Sequence, residues 1–236
     1  MNLPEVVKAA LFARYSRSPK SLRRLLIDEF LDDDAGPVAR AREGEERAVQ
    51  LFERVFLEYG DDSVAQLGGA HVAVEGASNI LTKILQWGRL ASYLEQSTRY
   101  ISFTDRPGGR YRYHRPTALA ADPELAAAYA ASLDSAFARY GELIPRLIAH
   151  LETALERPDG IADPAWTRTV RARALDGLRG LLPAATTANV GIFASGQAYE
   201  AMLVRMRAHP LPEARECAVA MLRELRKVIP DFLTRV

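Results

Sequence analysis

Apolar residues recur at helical spacing along most of the chain, and strict alternation is confined to short stretches near the middle. The amino-terminal part predicts a helix around Val6 to Tyr15, and Leu22, Leu25, Leu26 and Phe30 continue an amphipathic pattern beyond Pro19. A second helical pattern begins at Val38, carries Val49, Phe52, Val55 and Phe56 on one face and closes at Tyr59-Gly60. Asp61-Asp62-Ser63 can cap the next turn, with Val64 and Leu67 packing beneath it. His71 to Glu75 is β-branched at every second position, which predicts a strand with Val72 and Val74 on its core face and Gly76 at its end. Ser78-Asn79 then caps a short helix marked by Ile80, Leu81, Ile84 and Leu85, and Gly88 stops it.

Downstream, Tyr111 and Tyr113 alternate with Arg110 and Arg112, as in a strand with one charged face. Ala118 to Ala131 reads as helix, and the pattern continues past Pro145, a start or a kink, to Leu155. Pro158-Asp159-Gly160 is a loop. Trp166 to Leu182 is helical, Thr186 to Asn189 opens a further segment with Phe193, Tyr199, Met202 and Leu203 as core contacts, and a last helix covers Pro212 to Val228. The chain is therefore mainly helical, with a small sheet drawn from its middle.

Composition narrows the function. With 31 basic and 30 acidic residues in 236, the formal charge is +1, so the chain lacks the electrostatic footprint of a protein that wraps nucleic acid. The single cysteine, Cys217, excludes an intrachain disulfide and fits a reducing compartment. No apolar run reaches about 18 residues, and Met1-Asn2-Leu3-Pro4-Glu5 has no basic-then-apolar leader, so the expectation is a cytoplasmic protein without a membrane partner. His71, His114, His150 and His209 are too scattered for a metal site, and Asp32-Asp33-Asp34 has no nearby histidine to complete a metal shell. Glycine-rich phosphate loops and the HExxH and CxxC motifs are missing as well.

What stands out is Arg89 to Tyr100. It gathers Arg89, Ser92, Tyr93, Glu95, Gln96, Ser97, Thr98, Arg99 and Tyr100, and reads as a loop that grips a nucleotide or another anion. Arg99, Arg179 and Arg205 lie in three separate predicted elements, an expense a fold makes for one phosphate or carboxylate; scattered surface arginines are the alternative.

This stretch resembles the signature of the flavin-dependent thymidylate synthases, R-H-R-x-x-S-x-N-x-x-S-x-R-Y, through Arg89, Ser92, Ser97, Arg99 and Tyr100, with Glu95 at the family's usual acidic position. Arg179 with Leu182-Pro183 is similar to the family's A-R-x-x-L-P element, and Arg205, His209 and Glu213 to its L-R-x-x-x-H-A-Q-x-E segment. The resemblance implies a single domain over residues 1–236, of α/β (α+β) class, with a small central, mostly antiparallel sheet flanked by many helices. It implies FAD as cofactor, and reductive methylation of deoxyuridylate (dUMP) to thymidylate (dTMP) with methylenetetrahydrofolate and NADPH. It also implies a homotetramer with sites shared between subunits.

Carried over residue by residue, the family's roles put substrate binding on Glu95, Ser97, Arg99, Arg179 and Arg205, with Arg205 and Ser97 also catalytic. Ser63, Trp87, Arg89, Ser92, Glu95 and His209 would bind the cofactor, and no metal is implied. The departures are concentrated on the flavin side: Trp87-Gly88 replace the motif's arginine and histidine, Leu94 its asparagine, Asp61 an early histidine, and Pro210-Leu211 its A-Q pair. The family's N-x-R element falls on Ala194 to Gly196 or, one residue on, Ser195 to Gln197. A diverged paralogue that binds nucleotide or flavin without the synthase reaction is the alternative reading.

Overall fold

The computed structural model describes residues 5–30, 48–50 and 64–236. Asp32-Asp33-Asp34, most of the pattern from Val38 to Gly60, and the Asp61-Asp62-Ser63 turn lie outside the described residues. The described chain is a mixed fold, rich in helix around a three-stranded antiparallel sheet of order β1-β3-β2, where β1 is Gly69–Ser78, β2 Ala91–Glu95 and β3 Thr187–Ser195. The antiparallel sense of β1 and β3 follows from their ends: Gly196 N–H donates to Gly68 O, and Asn79 N–H to Thr186 O.

The expected strand at His71 exists but is longer, and Gly76 does not end it. Gly76 takes φ +69° and donates its N–H to the Asn189 side chain at 3.0 Å. A positive φ that only glycine adopts cheaply lets the strand change its facing pattern there and continue to Ser78. Two strands were hidden in the sequence. Ala91–Glu95, read as loop, alternates half-buried Ala91, Tyr93 and Glu95 with exposed Ser92 and Leu94. The central strand β3 buries Ala188, Val190, Ile192 and Ala194 while exposing Phe193, which corrects the expectation that Phe193 is core. Its ring lies 4.6 Å from that of His71.

The contacts divide the chain into two compact units. The first comprises Met1–Val72, Leu85–Tyr93 and Gly191–Val236, the second Ala73–Ile84 and Leu94–Val190. In the first, α1 (Glu5–Tyr15) buries Val6, Val7, Ala10 and Leu11, and is followed by the short α2 (Leu22–Leu25), capped by Ser21. Two helices near the carboxyl end, α6 (Gly196–Arg207) and α7 (Pro212–Leu225), pack through Tyr199, Met202, Leu203 and Met206 on one and Ala214, Ala218, Met221 and Leu225 on the other. The last helix therefore stops three residues short of the expected Val228. Tyr199 is fully buried, and its hydroxyl lies 3.1 Å from Ala70 O and 3.3 Å from Ile192 O, tying α6 to two strands. Phe232 fills the space over Gly68 and Gly196, where a Cβ on Gly196 would fall 2.6 Å from the Phe232 Cβ.

The second unit is organised by α4 (Pro123–Ala154) and α5 (Asp163–Leu178). Helix α4 starts later than Ala118 because Asp122 caps it, accepting from Leu125 N–H at 3.0 Å, with Pro123 in the first turn; Thr117–Ala121 form a 3₁₀ turn instead. The helix runs through Pro145 without interruption. Its buried face, Phe137, Tyr140 and Ile144, packs against Phe103, Tyr111, Tyr113, Leu175 and Leu178.

Arg110 to Arg115 is not a strand. Tyr111 and Tyr113 alternate inward as expected, but only Tyr113 pairs with a strand neighbour, through an isolated bridge to Thr186. Of the two arginines expected on its charged face, Arg110 is exposed but Arg112 lies over the Phe103 ring at 5.2 Å, and the flanking Arg106 and Arg115 lie over Tyr111 and Tyr113 at 4.1 and 4.0 Å. The core rings that a stacking ribbon for nucleic-acid bases would need are thus covered by the chain's own guanidinium groups.

Candidate nucleotide site

A cleft of about 720 Å³ opens in the second unit. One wall is the face of α3 (Asn79–Leu85) that carries Asn79 and Lys83, one helical turn apart. The end of β2 and the turn after it, Glu95 to Tyr100, form the facing wall, and Arg179, Leu182 and Pro183 bring the connection that follows α5. Thr186 and Ala188 line the cleft from the start of β3.

The turn is built by Ser97. Its carbonyl accepts from Tyr100 and Ile101 N–H at 3.3 and 3.2 Å, and its hydroxyl accepts from Arg99 N–H at 3.3 Å. Among the described residues no acceptor takes the hydroxyl proton of Ser97, and an alcohol carries one donor beside its acceptor capacity. Arg99 leans over the Tyr100 ring at 5.6 Å and is exposed. Arg179 has Asp176 at 3.2 Å, both side chains about half exposed, so the carboxylate screens the guanidinium without burying it.

Charge and unsatisfied polarity both mark this cleft for an anion with hydrogen-bonding groups. Its lining holds Lys83, Arg99 and Arg179 against one carboxylate, Glu95, which pairs with Lys83 at 2.9 Å. Two of its buried polar atoms, Gln96 Oε1 and Thr186 Oγ1, have no hydrogen-bond partner among the described residues. Each such atom costs about 1–3 kcal/mol until something bonds to it. A nucleoside monophosphate has the matching chemistry: a phosphate for the guanidinium groups, and base and sugar N–H and O–H groups for the orphaned oxygens.

Of the residues expected to bind substrate, Glu95, Ser97, Arg99 and Arg179 therefore come together in one cleft. Arg205 belongs to the first unit. There it extends from α6, with Nε and Nη2 buried and without partners among the described residues, and a Cβ on Gly88 would lie 3.9 Å from Nη2 and 3.4 Å from Tyr93 Oη. Tyr93 donates its hydroxyl to Gly88 O at 2.9 Å; burial pushes its phenol up, with the charge of Arg205 opposing. A buried guanidinium with unused donors, beside a residue with no side chain, suits an acceptor-bearing ligand group.

The residues expected to bind cofactor are more dispersed. Ser63 lies outside the described residues, and Glu95 faces the nucleotide cleft. His209 sits in the turn between α6 and α7, its Nδ1 accepting from Leu211 N–H at 3.1 Å, which leaves Nε2 to carry the proton. Trp87 is 76% exposed, and Arg89 and Ser92 are exposed as well. They offer a stacking plane, a cation and a hydroxyl, the donor set for a ring and a pyrophosphate, but none of the buried unpartnered polar atoms among the described residues is theirs. As arranged in this chain they do not form a cradle for a flavin dinucleotide.

Sequence reasoning missed Asn79, Lys83 and Thr186. The first two look like the solvent side of an ordinary amphipathic helix, and only their spacing of four, just before the polar stretch, could have flagged them.

Comparison with known proteins places the chain. It is 40% identical over 240 residues to a UPF0159 protein of Chlamydia muridarum (strain MoPn / Nigg), a match covering 99% of this chain and 45% of that one. A UPF0159 protein of Thermoplasma acidophilum is 28% identical over 248 residues, 96% of this chain and 48% of its own. The chain thus spans about half the length of these curated relatives. It is also 28% identical over 184 residues to the flavin-dependent thymidylate synthase of Mycolicibacterium gilvum (strain PYR-GCK), covering 78% of this chain and 68% of that enzyme. The family model described as thymidylate synthase complementing protein matches residues 5–231, nearly the whole of the described sequence, and the chain belongs to that family.

Proposed function

We propose that the protein binds deoxyuridylate in the Arg99–Arg179 cleft and acts in flavin-dependent synthesis of thymidylate. In that reaction the one-carbon unit comes from methylenetetrahydrofolate and the reducing equivalents come from NADPH by way of FAD. The observation that carries the reading is the cleft itself: surplus positive charge beside two buried oxygens that lack partners among the described residues. Arg99 and Arg179 hold the phosphate, Ser97 donates its hydroxyl proton to the nucleotide, and Glu95 accepts from a sugar or base donor. Within the first unit, Arg205 supplies fixed positive charge that suits a carbonyl or anionic group. No cysteine nucleophile takes part: burial and the neighbouring Glu213 push the Cys217 thiol up to about 11, far from a reactive thiolate.

The flavin part rests on family membership and on the Mycolicibacterium relative. Because Trp87, Arg89 and Ser92 do not enclose the cofactor in this chain, no step is assigned to them beyond contact. A homotetramer in the cytoplasm, with sites shared between subunits, would supply the missing walls.

Their exposure also supports a second reading, in which the chain binds nucleotide without the synthase reaction. Titration calorimetry with deoxyuridylate, the absorbance spectrum of the purified protein, and tritium release from 5-tritiated deoxyuridylate in the presence of FAD, NADPH and methylenetetrahydrofolate separate the two. Binding with tritium release supports the synthase; binding with neither flavin absorbance nor release selects the second reading. An absence of deoxyuridylate binding refutes the synthase reading, and an absence of flavin absorbance together with no binding of any nucleotide refutes the second.

A further inference from the structure

We propose that Lys83 is a positioning residue of the nucleotide cleft: its ammonium group neutralises and aims Glu95, so that a carboxylate can face the ligand without driving off its phosphate. The inference rests on the nucleotide reading above, and concerns a residue to which neither the signature nor the comparisons give a role.

The placement of Lys83 is imposed by its helix. Ser78 is 2% exposed and its hydroxyl accepts from Leu81 N–H at 3.0 Å, fixing where α3 begins. Leu81, Thr82 and Leu85 are buried on the other side, and Thr82 Oγ1 donates to Asn79 O at 3.0 Å, so the rotation of α3 is set by its packed face. That rotation turns Asn79 and Lys83 to the cleft. Lys83 Nζ then meets Glu95 Oε2 at 2.9 Å, with the lysine 62% and the glutamate 24% exposed.

A surface pair of this kind adds little to folding, but its position gives it a second effect. Glu95 is the single carboxylate in the lining, and it stands on the same wall as Ser97 and Arg99. With Lys83 present, three cations face one carboxylate; without it, two guanidinium groups face a carboxylate that has lost the ammonium group 2.9 Å from it. Repulsion between that carboxylate and a phosphate dianion acts at short range and across a partly desolvated cleft, where it is stronger than in bulk water.

The test is calorimetric titration of the full chain with two probes, deoxyuridylate and inorganic phosphate, at low salt. Lys83→Met is expected to weaken both by about tenfold, and Lys83→Arg to stay within about twofold of the parent. Adding Glu95→Gln to Lys83→Met should recover most of the phosphate affinity, because the carboxylate that Lys83 faced is gone; a lysine that merely braced the helix would show no such rescue. Parent-like phosphate binding by Lys83→Met, or a double variant no better than Lys83→Met, overturns the proposal. A parent that takes phosphate but not deoxyuridylate refutes the nucleotide reading while the phosphate series still decides the role of Lys83. A parent that takes neither probe overturns both.

Discussion

Replacing Arg179 with methionine separates binding from folding more cleanly than any other change in the cleft. The side chain is 51% exposed, and its partner, Asp176 at 3.2 Å, is 45% exposed. An exposed pair three residues apart contributes about 0–1 kcal/mol to stability, and methionine keeps most of the aliphatic stem. The same guanidinium facing a phosphate makes charge-assisted bonds on the order of 1.5–3 kcal/mol. The expected result is a deoxyuridylate dissociation constant about 10 to 150 times weaker, with a thermal midpoint within a few degrees of the parent. Differential scanning calorimetry and titration calorimetry on one preparation measure both. Because the lost interaction is ionic, the gap between parent and Arg179→Met should narrow as salt is raised. A folded Arg179→Met that binds as tightly as the parent would remove Arg179 from the site and leave the cleft without its guanidinium pair.

Other expectations follow from particular contacts. Gly196→Ala should destabilise the fold by roughly 1–3 kcal/mol, since the new methyl would fall 2.6 Å from Phe232 Cβ and 3.1 Å from Ala65 O; an unchanged denaturation midpoint would show that Phe232 moves freely. Ser78→Ala should cost about 0.5–2 kcal/mol through loss of the α3 cap, and should weaken phosphate binding as well because α3 carries Lys83; intact binding would detach that helix from the site. Cys217, raised from 9.0 to about 11 by burial and Glu213, should react with iodoacetamide at pH 8 at least about a hundredfold more slowly in the native than in the denatured protein. Since its folded pKa lies above the unfolded one, its contribution to stability is complete below about pH 9 and is lost as pH rises towards about 11, so a stability profile flat across that window would contradict the assignment. Trp87→Arg combined with Gly88→His should tighten FAD binding by about tenfold or more, each restored charge-assisted contact being on the order of 1.5–3 kcal/mol; tight FAD binding by the parent, or no gain in the double variant, would mean that flavin is held by other residues.

The sequence by itself determined the elements whose signals are local. The helix at Glu5–Tyr15, the strand through Val72 and Val74, the Ser78 cap and the long helix ending at Ala154 all come from periodicity and capping within a few residues. The neighbourhood of Glu95, Ser97 and Arg99 was legible too, because they sit within five residues, and the structure brings all three to the lining of one cleft. Two strands escaped for a physical reason. Ala91–Glu95 is short and exposes Leu94 while turning Glu95 inward, so its facing disagrees with its hydrophobicity, while the buried alternation Ala188, Val190, Ile192 and Ala194 of Thr187–Ser195 is interrupted by the exposed Phe193, whose apolar ring breaks the pattern a strand would show. Pairing with β3 decides the first, and a central place in the sheet the second; both are contacts between residues far apart in sequence. The same holds for the cleft: Lys83 and Thr186 join its lining only when α3 and the start of β3 bring them to Arg99 and Arg179. No local pattern records that meeting, because packing of the buried faces of those elements, and not the polar residues themselves, sets where the polar residues arrive.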